Sequence, residues 1–290
     1  MKYGIAVPNF GKFAGKKQIL ELSVTAEELG YDSLWVSDHV VVPKDHKGFG
    51  NIFYDPIVTL SFIAAKTNKI KLGTSVIVLS YRNPIVFAKE ISTLDVLSEG
   101  RIILGVGAGW LKEEFDALGI NYNERGLQTN EALKIMKELY LKESYDFKGK
   151  YYKFSKIEFY PKPFNNRIPQ IWVGGGSPSA LKRSVEYGDG WHAVGSSPDE
   201  IKEKLAEINN LLLKYGKNRE KFIISVRKNL QIIHKRIENK KENLRGSLEE
   251  IKIGLQDYKD AGVNHIVFQI LGNSFKDILE TMKVVKEKIL

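Results

Sequence analysis

An acid and a histidine stand side by side directly after a short apolar run. Residues 33–40 read SLWVSDHV, so Asp38 and His39 follow a segment of strand-forming residues. The reference pKa of histidine is about 6.5, which suits its side chain to exchange a proton near neutral pH. The pattern has two interpretations: the chain reaches the surface here, or the end of a strand faces a ligand.

A second stretch of chemical interest is rich in glycine and lies between a predicted strand and a predicted helix. The residues Gly174, Gly175 and Gly176 let backbone N–H groups approach a ligand without obstruction. Ser177 is a predicted N-cap, and Pro178 suits the first helical position. Because a helix N-terminus carries partial positive charge, we interpret the stretch as a phosphate-binding loop. A tight turn that requires glycine is the alternative.

Residues 105–110, which read GVGAGW, have part of a dinucleotide-binding pattern but fail it in two respects. Trp110 stands where the pattern needs Gly or Ala, and the stretch follows the fourth predicted strand instead of the first. Gly105 is explained by tight packing inside the sheet. Ala108 and Gly109 lie beyond the strand, where a flat surface could support an aromatic ring; the spacing leaves both interpretations open.

Several classes of chemistry are excluded by residue types. Cysteine is absent, which rules out disulfides, thiol nucleophiles and cysteine-based metal sites. The five histidines have no ligand-like spacing, so no metal site is expected. No serine lies in a Gly-x-Ser-x-Gly elbow.

The net charge of +9 suits an anionic cofactor, an acidic substrate or nucleic acid, but also a solvated surface of lysine and glutamate. We favour the surface, because the densest basic stretch, residues 234–241, contains Glu238 and no aromatic residue. No nucleic-acid partner is therefore expected.

The start of the chain, residues 1–8, lacks a signal-peptide pattern, and no apolar run approaches the roughly 20 residues that span a bilayer. These features predict a cytoplasmic protein with no membrane partner.

Strand-like and helix-like runs alternate from end to end. The predicted strands cover residues 3–7, 34–36, 71–78, 101–106, 170–173, 191–194, 222–226 and 265–270. The predicted helices cover residues 17–29, 55–66, 84–97, 111–118, 128–140, 178–187, 198–215, 247–260 and 275–288. A hairpin is predicted over residues 145–159, with its turn at residues 148–150.

Eight strand-then-helix units predict an α/β fold, a (β/α)8 TIM barrel with an insertion between strands 4 and 5, as one domain over residues 1–290. A doubly wound sheet is the alternative, but eight regular units without a linker favour closure. In such barrels, function lies at the carboxyl ends of the strands. This rule selects Asn9, Asp38, His39, residues 75–82, Ala108, Gly109, Trp110, residues 174–177, Arg227 and Gln269.

The chain resembles the luciferase-like flavin and deazaflavin oxidoreductases (a monooxygenase superfamily), especially their coenzyme F420-dependent branch. The resemblance is carried by residues 3–11 (YGIAVPNFG), 26–43 (AEELGYDSLWVSDHVVVP), 69–120 and 169–194 (PQIWVGGGSPSALKRSVEYGDGWHAV). It is nearly continuous over the first two thirds of the chain and weaker beyond about residue 200.

The resemblance implies a role for each matching position. His39 matches a residue that transfers protons in some F420-dependent dehydrogenases and is the candidate catalytic residue. The implied cofactor-binding residues are Asp38 beside the ring, Ser75 and Val76 at a non-prolyl cis peptide, Ala108 and Gly109 at the centre of the cofactor, and Gly174, Gly175, Gly176 and Ser177 at its phosphate.

The function that the resemblance implies is hydride transfer between coenzyme F420 and a small organic substrate. Two alternatives stay open: an FMN-dependent monooxygenase that uses reduced flavin and O2, and a non-catalytic flavin-binding barrel. Asn9 and Trp110 are assigned to the substrate pocket. Sugar-phosphate dehydrogenases of the family have glutamate where Trp110 stands, so an apolar pocket is expected instead. A homodimer is compatible with the resemblance, and the segment from about Asn121 to Phe164 is expected to cover the pocket as a lid.

Overall fold

Strands and helices alternate along the computed structural model, which describes residues 1–44, 46, 50, 52–233 and 244–290. Its strands are β1 (Lys2–Ala6), β2 (Ser33–Val36), β3 (Lys71–Thr74), β4 (Ile77–Val78), β5 (Ile102–Gly107), β6 (Ser144–Lys148), β7 (Lys153–Glu158), β8 (Gln170–Gly174), β9 (Gly190–Val194), β10 (Ile223–Ile232), β11 (Leu244–Gly246) and β12 (His265–Ile270). Its helices are α1 (Lys16–Glu28), α2 (Pro56–Ala64), α3 (Pro84–Leu97), α4 (Lys112–Ala117), α5 (Arg125–Leu141), α6 (Pro178–Tyr187), α7 (Pro198–Lys214), α8 (Leu248–Asp260) and α9 (Phe275–Lys288).

Among the described residues, eight parallel strands close into a barrel. The order runs β1-β2-β3-β5-β8-β9-β10-β12, and β12 pairs in parallel with β1 to complete the ring. The closing register sets Tyr3 beside Ile266 and Ile5 beside Phe268. The predicted (β/α)8 TIM barrel is confirmed, and the doubly wound sheet, which would have two open edges, is wrong. A single domain over residues 1–290 stays a prediction.

Helices begin at the sequence signals expected for them, just beyond the carboxyl ends of the strands. Asn83 caps α3 and Ser177 caps α6 through their side-chain oxygens, and a proline follows each cap. Ser197 and Glu200 form a reciprocal capping box at the start of α7. These caps fix where each strand-to-helix loop ends, and the loops form one face of the barrel.

The inside of the barrel contains a small apolar cluster that is separate from the main core between strands and helices. Its buried members are Ala6, Trp35, Ile103, Trp172 and Val267. The Trp35 and Trp172 rings stack with centroids 5.1 Å apart. Two stacked indoles therefore pack inside the barrel, where branched aliphatic side chains usually dominate.

The third predicted strand is interrupted in the structure. Residues 71–78 were expected to be continuous, but β3 ends at Thr74 and β4 covers Ile77–Val78, with a cis peptide bond between Ser75 and Val76. The ladder therefore breaks where the chain reaches the carboxyl face. The seventh barrel strand, β10, extends to Ile232, six residues beyond its predicted end at residue 226.

The insertion between the fourth and fifth barrel strands contains α4, α5 and an antiparallel hairpin of β6 and β7. The turn lies at residues 149–152, because Lys148 still pairs with Lys153; it overlaps the predicted turn at residues 148–150 but is shifted towards the C-terminus. Glu131 of α5 accepts hydrogen bonds from the backbone of Tyr151 and Tyr152, which ties the hairpin to α5.

No helix in the described part of the chain combines the length and apolar character needed to cross a lipid bilayer. The basic stretch at residues 234–241 lies outside the described residues.

We predict that Gly105→Ala destabilises the barrel. A Cβ atom on Gly105 would lie 1.8 Å from the Thr74 carbonyl oxygen, so β3 and β5 would have to separate. Overpacking of this kind costs about 1–3 kcal/mol of unfolding free energy, measurable by urea denaturation. Gly176→Ala is the matched control, because its nearest heavy atom would be Lys204 Cε at 3.9 Å. Equal unfolding midpoints for the two variants would contradict the prediction.

Candidate active site

A cleft of about 940 Å³ opens at the carboxyl ends of the barrel strands. Its volume is within the usual range for ligand sites. A larger cavity of about 1210 Å³ lies at the opposite face, among the amino ends of the strands. Because barrel enzymes perform their chemistry at the carboxyl face, the cleft is the candidate active site and the other cavity is not.

His39 and Glu114 form a hydrogen-bonded pair in the wall of the cleft. The Nδ1 atom of His39 lies 2.9 Å from Oε2 of Glu114, and the Glu114 side chain is buried. The carboxylate favours the tautomer with its hydrogen on Nδ1, which leaves the lone pair of a neutral ring on Nε2. His39 also meets the rings of Phe53 and Trp110 edge-on, at centroid distances of 5.0 and 6.1 Å. The ring is held in one orientation by these contacts.

Glu114 gathers three further donors. Its Oε1 accepts hydrogen bonds from the N–H groups of Val40 at 2.5 Å and Val41 at 3.2 Å, and its Oε2 accepts from the Tyr81 hydroxyl at 2.9 Å. Burial by itself raises the pKa of Glu114, but the hydrogen bonds from His39, Val40 and Tyr81 outweigh it, and the pKa falls below its ordinary value. Burial and the neighbouring Glu114 charge raise the pKa of Tyr81, which stays a hydroxyl donor.

Asp38 lies in the cleft lining but is already paired. Arg82 donates to both of its carboxylate oxygens, at 2.6 and 2.8 Å, and the backbone of Val78 donates to it at 2.9 Å. Burial lowers the pKa of Arg82, but the hydrogen bond and charge of Asp38 more than reverse this. Asp38 therefore links the end of β2 to the irregular segment after β3, and this link shapes the cleft floor.

The floor of the cleft carries a cation at the cis peptide. Arg227 donates to Ser37 Oγ at 2.7 Å and to the Ser75 carbonyl at 3.3 Å, and also to Gln269. Burial lowers the pKa of Arg227 to about 10, so the guanidinium stays charged at neutral pH. In the described part of the chain, Arg227 has no carboxylate in an ion pair, so a positive charge faces the cleft.

The far end of the cleft gathers groups that suit an anion. Gly174, Gly175, Ser177 and Ser179 line it at the start of α6, together with Arg125 and Arg183. Arg183 is buried and donates to Asn130 and to the Gly126 carbonyl, and Arg125 donates to the carbonyls of Gly109 and Tyr122. Neither arginine pairs with a carboxylate among the described residues. Two positive charges and a helix N-terminus therefore converge at one place.

Most of the predicted site residues meet in this one cleft. The lining includes Asp38, His39, Ser75, Val76, Ala108, Gly109, Trp110, Gly174, Gly175 and Ser177. Gly176 is exposed in the same loop but is not part of the lining.

Asn9, which was assigned to the substrate pocket, is not part of the cleft lining. Its side chain is fully buried and donates to the carbonyls of Ser37 and Tyr54, and its oxygen accepts from the Ser37 N–H. Asn9 fastens the loops behind the wall instead of facing a ligand. The lid expected from about Asn121 to Phe164 stays a prediction: of these residues, the cleft lining includes Asn123, Arg125 and Gly126, whereas the described hairpin residues take no part in it.

Several residues of the site were missed from the sequence, most importantly Glu114. Leu111, Glu114 and Phe115 share one buried helix face at i, i+3 and i+4 spacing. A carboxylate on an apolar stripe is a detectable signal, because a buried charge needs partners. Arg125 and Arg183 gave no comparable signal. In the described residues, no cluster of three or more histidine, aspartate or glutamate side chains could hold a metal ion.

Comparisons with known proteins agree with this geometry. The model of a family described as luciferase-like monooxygenase matches residues 1–265. An F420-dependent glucose-6-phosphate dehydrogenase of Amycolatopsis mediterranei (strain U-32) is 27% identical over 299 residues, which cover 88% of each chain. The dehydrogenase of the same name from Kineococcus radiotolerans is 35% identical, but the match covers 60% of this chain and about half (51%) of that one.

A solved structure of an F420-dependent secondary alcohol dehydrogenase, in complex with an F420–acetone adduct, has a TM-score of 0.86 to this chain. The alignment covers 100% of this chain and 98% of that one at 20% identity. At that identity the likeness shows a shared fold.

We predict that Glu114→Gln lowers stability in a pH-dependent way. Because the pKa of Glu114 is lowered by folding, its ionised form adds stability that is complete above the unfolded pKa of about 4.3. This stability disappears as pH falls through the folded pKa. The difference in unfolding free energy between wild type and Glu114→Gln should therefore be largest near pH 7 and shrink below pH 4.

The neighbouring exposed residue Glu113 supplies the control. Glu113→Gln should show little difference at any pH in the same denaturation series. A Glu114→Gln difference that stays constant from pH 7 to pH 3 would refute the account of the carboxylate given above.

Proposed function

Since this chain belongs to the luciferase-like monooxygenase family, we propose that it is an oxidoreductase that uses coenzyme F420 to move a hydride to or from a small organic substrate. The observation that carries the proposal is the presence of two different subsites in one cleft. One holds the His39–Glu114 pair, and the other combines the N-terminus of α6 with two arginines. A redox cofactor with a planar ring and an anionic tail needs both.

The anion-binding end of the cleft, at the N-terminus of α6, supports the choice of cofactor. Gly174, Gly175 and Ser177 would hold the cofactor's phosphate through backbone N–H groups, with Gly176 keeping the loop open. A Cβ atom on Gly176 would have no neighbour closer than 3.9 Å, so this part of the loop has room for a ligand. Arg125 adds positive charge for the acidic tail of F420.

The ring end of the cleft supports it as well. Ser75 and Val76 form the floor, and Ala108 and Gly109 form the adjoining wall. A Cβ atom on Gly107 would lie 2.8 Å from Val76 Cγ2, so glycine is what lets this surface pack closely. The deazaflavin supplies the hydride chemistry when bound. The charge of Arg227 favours negative charge on a group that lies on this floor.

His39 is the proposed general acid–base. With Glu114 fixing the hydrogen on Nδ1, Nε2 can accept a proton from an alcohol or, once protonated, return it to a carbonyl. The Glu114 carboxylate stabilises the charged ring during that exchange. Asp38 acts indirectly, because its oxygens are engaged by Arg82 and the backbone of Val78.

The substrate end of the cleft is aromatic. Trp110 is about half exposed, at 55%, and Phe10 and Phe53 line the same region with their rings stacked. This wall favours a substrate with apolar surface, such as a secondary alcohol. The names of the dehydrogenases that resemble this chain add glucose 6-phosphate as the second substrate to test.

Two alternative functions use the same cleft. An FMN-dependent monooxygenase would place the flavin phosphate at the α6 N-terminus, and the family to which the chain belongs includes monooxygenases by its description. A non-catalytic flavin-binding barrel would need the anion end but not the His39–Glu114 pair. That pair favours catalysis. A cytoplasmic location, expected from the sequence features given above, and a homodimer, compatible with the family resemblance, complete the proposal.

We predict that the purified protein binds F420 more tightly than FMN, and that Arg125→Gln weakens F420 binding at least about tenfold. Loss of one charge-assisted hydrogen bond costs about 1.5–3 kcal/mol, and 1.4 kcal/mol corresponds to a factor of ten. Fluorescence titration measures both dissociation constants. Lys182→Gln removes a charge from the exposed side of α6 and should leave them unchanged. Tight FMN binding without F420 binding would overturn the choice of cofactor.

We predict that His39→Gln lowers kcat about 10²- to 10⁴-fold while the dissociation constant of F420 stays within about threefold. The reason is that glutamine occupies similar space but cannot accept a proton. The assay follows F420 absorbance with secondary alcohols and with glucose 6-phosphate. Unchanged kcat would remove His39 from the mechanism.

A further inference from the structure

A chain of polar side chains crosses the interior of the barrel from one face to the other. Its members are Ser75, His192, Ser225, His265 and Ser33, and all five are at least 93% buried. The cluster is unusual because barrel interiors are normally filled by apolar side chains. Neither the cleft nor the proposed acid–base pair accounts for it.

The upper half of the chain starts at the cleft floor. Ser75 lines the cleft, and its hydroxyl oxygen lies 2.8 Å from Nε2 of His192. On the other side of the same ring, Nδ1 lies 2.9 Å from the Ser225 hydroxyl oxygen. Both ring nitrogens of His192 therefore lie within hydrogen-bonding distance of a serine hydroxyl.

The lower half continues to the amino face. Ser225 Oγ lies 3.4 Å from Nδ1 of His265, and Nε2 of that ring lies 2.8 Å from Ser33 Oγ. The strand register sets this geometry, because Ser225 pairs with His192 on one side and with His265 on the other. Both His265 and Ser33 line the lower cavity of about 1210 Å³.

Aromatic rings shield the chain from the side. Trp35 stacks on His192 with centroids 5.0 Å apart, and Trp172 meets His265 edge-on at 5.1 Å. Burial lowers the pKa of each histidine to about 3, so both are neutral over the physiological range. A neutral imidazole has one donor and one acceptor, which is what a relay needs at each ring.

We propose that these five residues form a proton relay that connects the cleft to the cavity at the opposite face of the barrel. Its use in turnover rests on the proposed function: His39 would exchange the proton of the alcohol or carbonyl, and the relay would exchange the second proton, which a deazaflavin ring gains or loses together with the hydride. The relay meets the cleft at Ser75, beside Arg227, and so serves the floor of the cleft, whereas His39 serves its wall.

One proton enters and one leaves in each passage. Ser75 accepts a proton from a ligand atom as its own hydroxyl proton passes to Nε2 of His192. The Nδ1 proton of His192 passes to Ser225, and the Ser225 hydroxyl proton passes to Nδ1 of His265. The Nε2 proton of His265 then passes to Ser33, whose hydroxyl proton goes to water. Each residue forms one bond to hydrogen and breaks one, no electron moves, and no charge remains on the chain.

The relay makes a specific demand on the two rings. Ser225 lies between the Nδ1 atoms of His192 and His265, donates to one and accepts from the other. The rings must therefore be opposite tautomers: when one carries its hydrogen on Nδ1, the other carries it on Nε2. A passage of one proton exchanges the two patterns.

Histidine ¹⁵N NMR on the cofactor-free protein tests this demand without any assay of activity. His39→Gln, His46→Gln and His234→Gln identify the signals of the other three histidines, which leaves the two relay rings. We expect both rings to be neutral at pH 7, with Nδ1-protonated fractions that sum to one. Ser225→Ala should remove this constraint. Two rings with the same tautomer, or a charged ring at pH 7, would overturn the relay.

Turnover supplies the second test. Ser225→Ala should slow single-turnover hydride transfer, followed by F420 absorbance in H2O and D2O, at least about tenfold while F420 affinity stays the same. Ser225→Thr restores the hydroxyl and should recover the rate. Ser92→Ala is the control, since Ser92 is a fully buried serine of α3 that bonds to the Lys89 carbonyl.

The outcomes separate the two proposals. Opposite tautomers in a protein that binds no F420 would support the relay and refute the cofactor assignment. F420 turnover at an unchanged rate in Ser225→Ala would support the cofactor assignment and refute the relay's part in catalysis.

Discussion

The buried carboxylate of Glu114 is the interaction on which the organisation of the cleft depends. It accepts hydrogen bonds from His39, Tyr81 and the backbone of Val40 and Val41, so residues that follow three different barrel strands meet at one charge. A buried anion without these donors would be costly, and the donors without the anion would lose their common partner. The same charge sets the tautomer of His39. Fold stability and site chemistry are therefore coupled at a single side chain.

The interior of the barrel contains two kinds of side chain, apolar and polar. Trp35 and Trp172 supply apolar volume, and a thread of serine and histidine side chains supplies polar contacts along the barrel. The thread is satisfied within itself, as a buried network has to be. Its upper end at Ser75 coincides with the break between β3 and β4, where Arg227 also donates to the backbone. The floor of the cleft is thus continuous with the barrel core.

The two ends of the cleft impose different requirements on a ligand. The α6 N-terminus with Arg125 and Arg183 favours negative charge, whereas Trp110 and Phe53 favour apolar surface. His39 lies at the apolar end, in edge-on contact with both of those rings. A cofactor that spans the cleft with its anionic part at α6 would bring its ring towards the acid–base pair. This division arises because each of these residues follows a particular strand, and the position of that strand in the barrel decides where in the cleft the residue lies.

The sequence alone determined the barrel. Buried strands and amphipathic helices alternate in the local hydrophobic pattern, and this alternation is kept when the sheet closes into a ring. It also located the phosphate-like loop at Gly174 and the Asp38–His39 step, because both follow strands directly. Only the tertiary structure decided which partners those residues have. Asp38 is ion-paired with Arg82, and Asn9 is buried behind the cleft wall. His39 is hydrogen-bonded to a glutamate that lies 75 residues away in the sequence. Such pairings depend on the order in which strands meet around the ring, and no local spacing in the chain records that order.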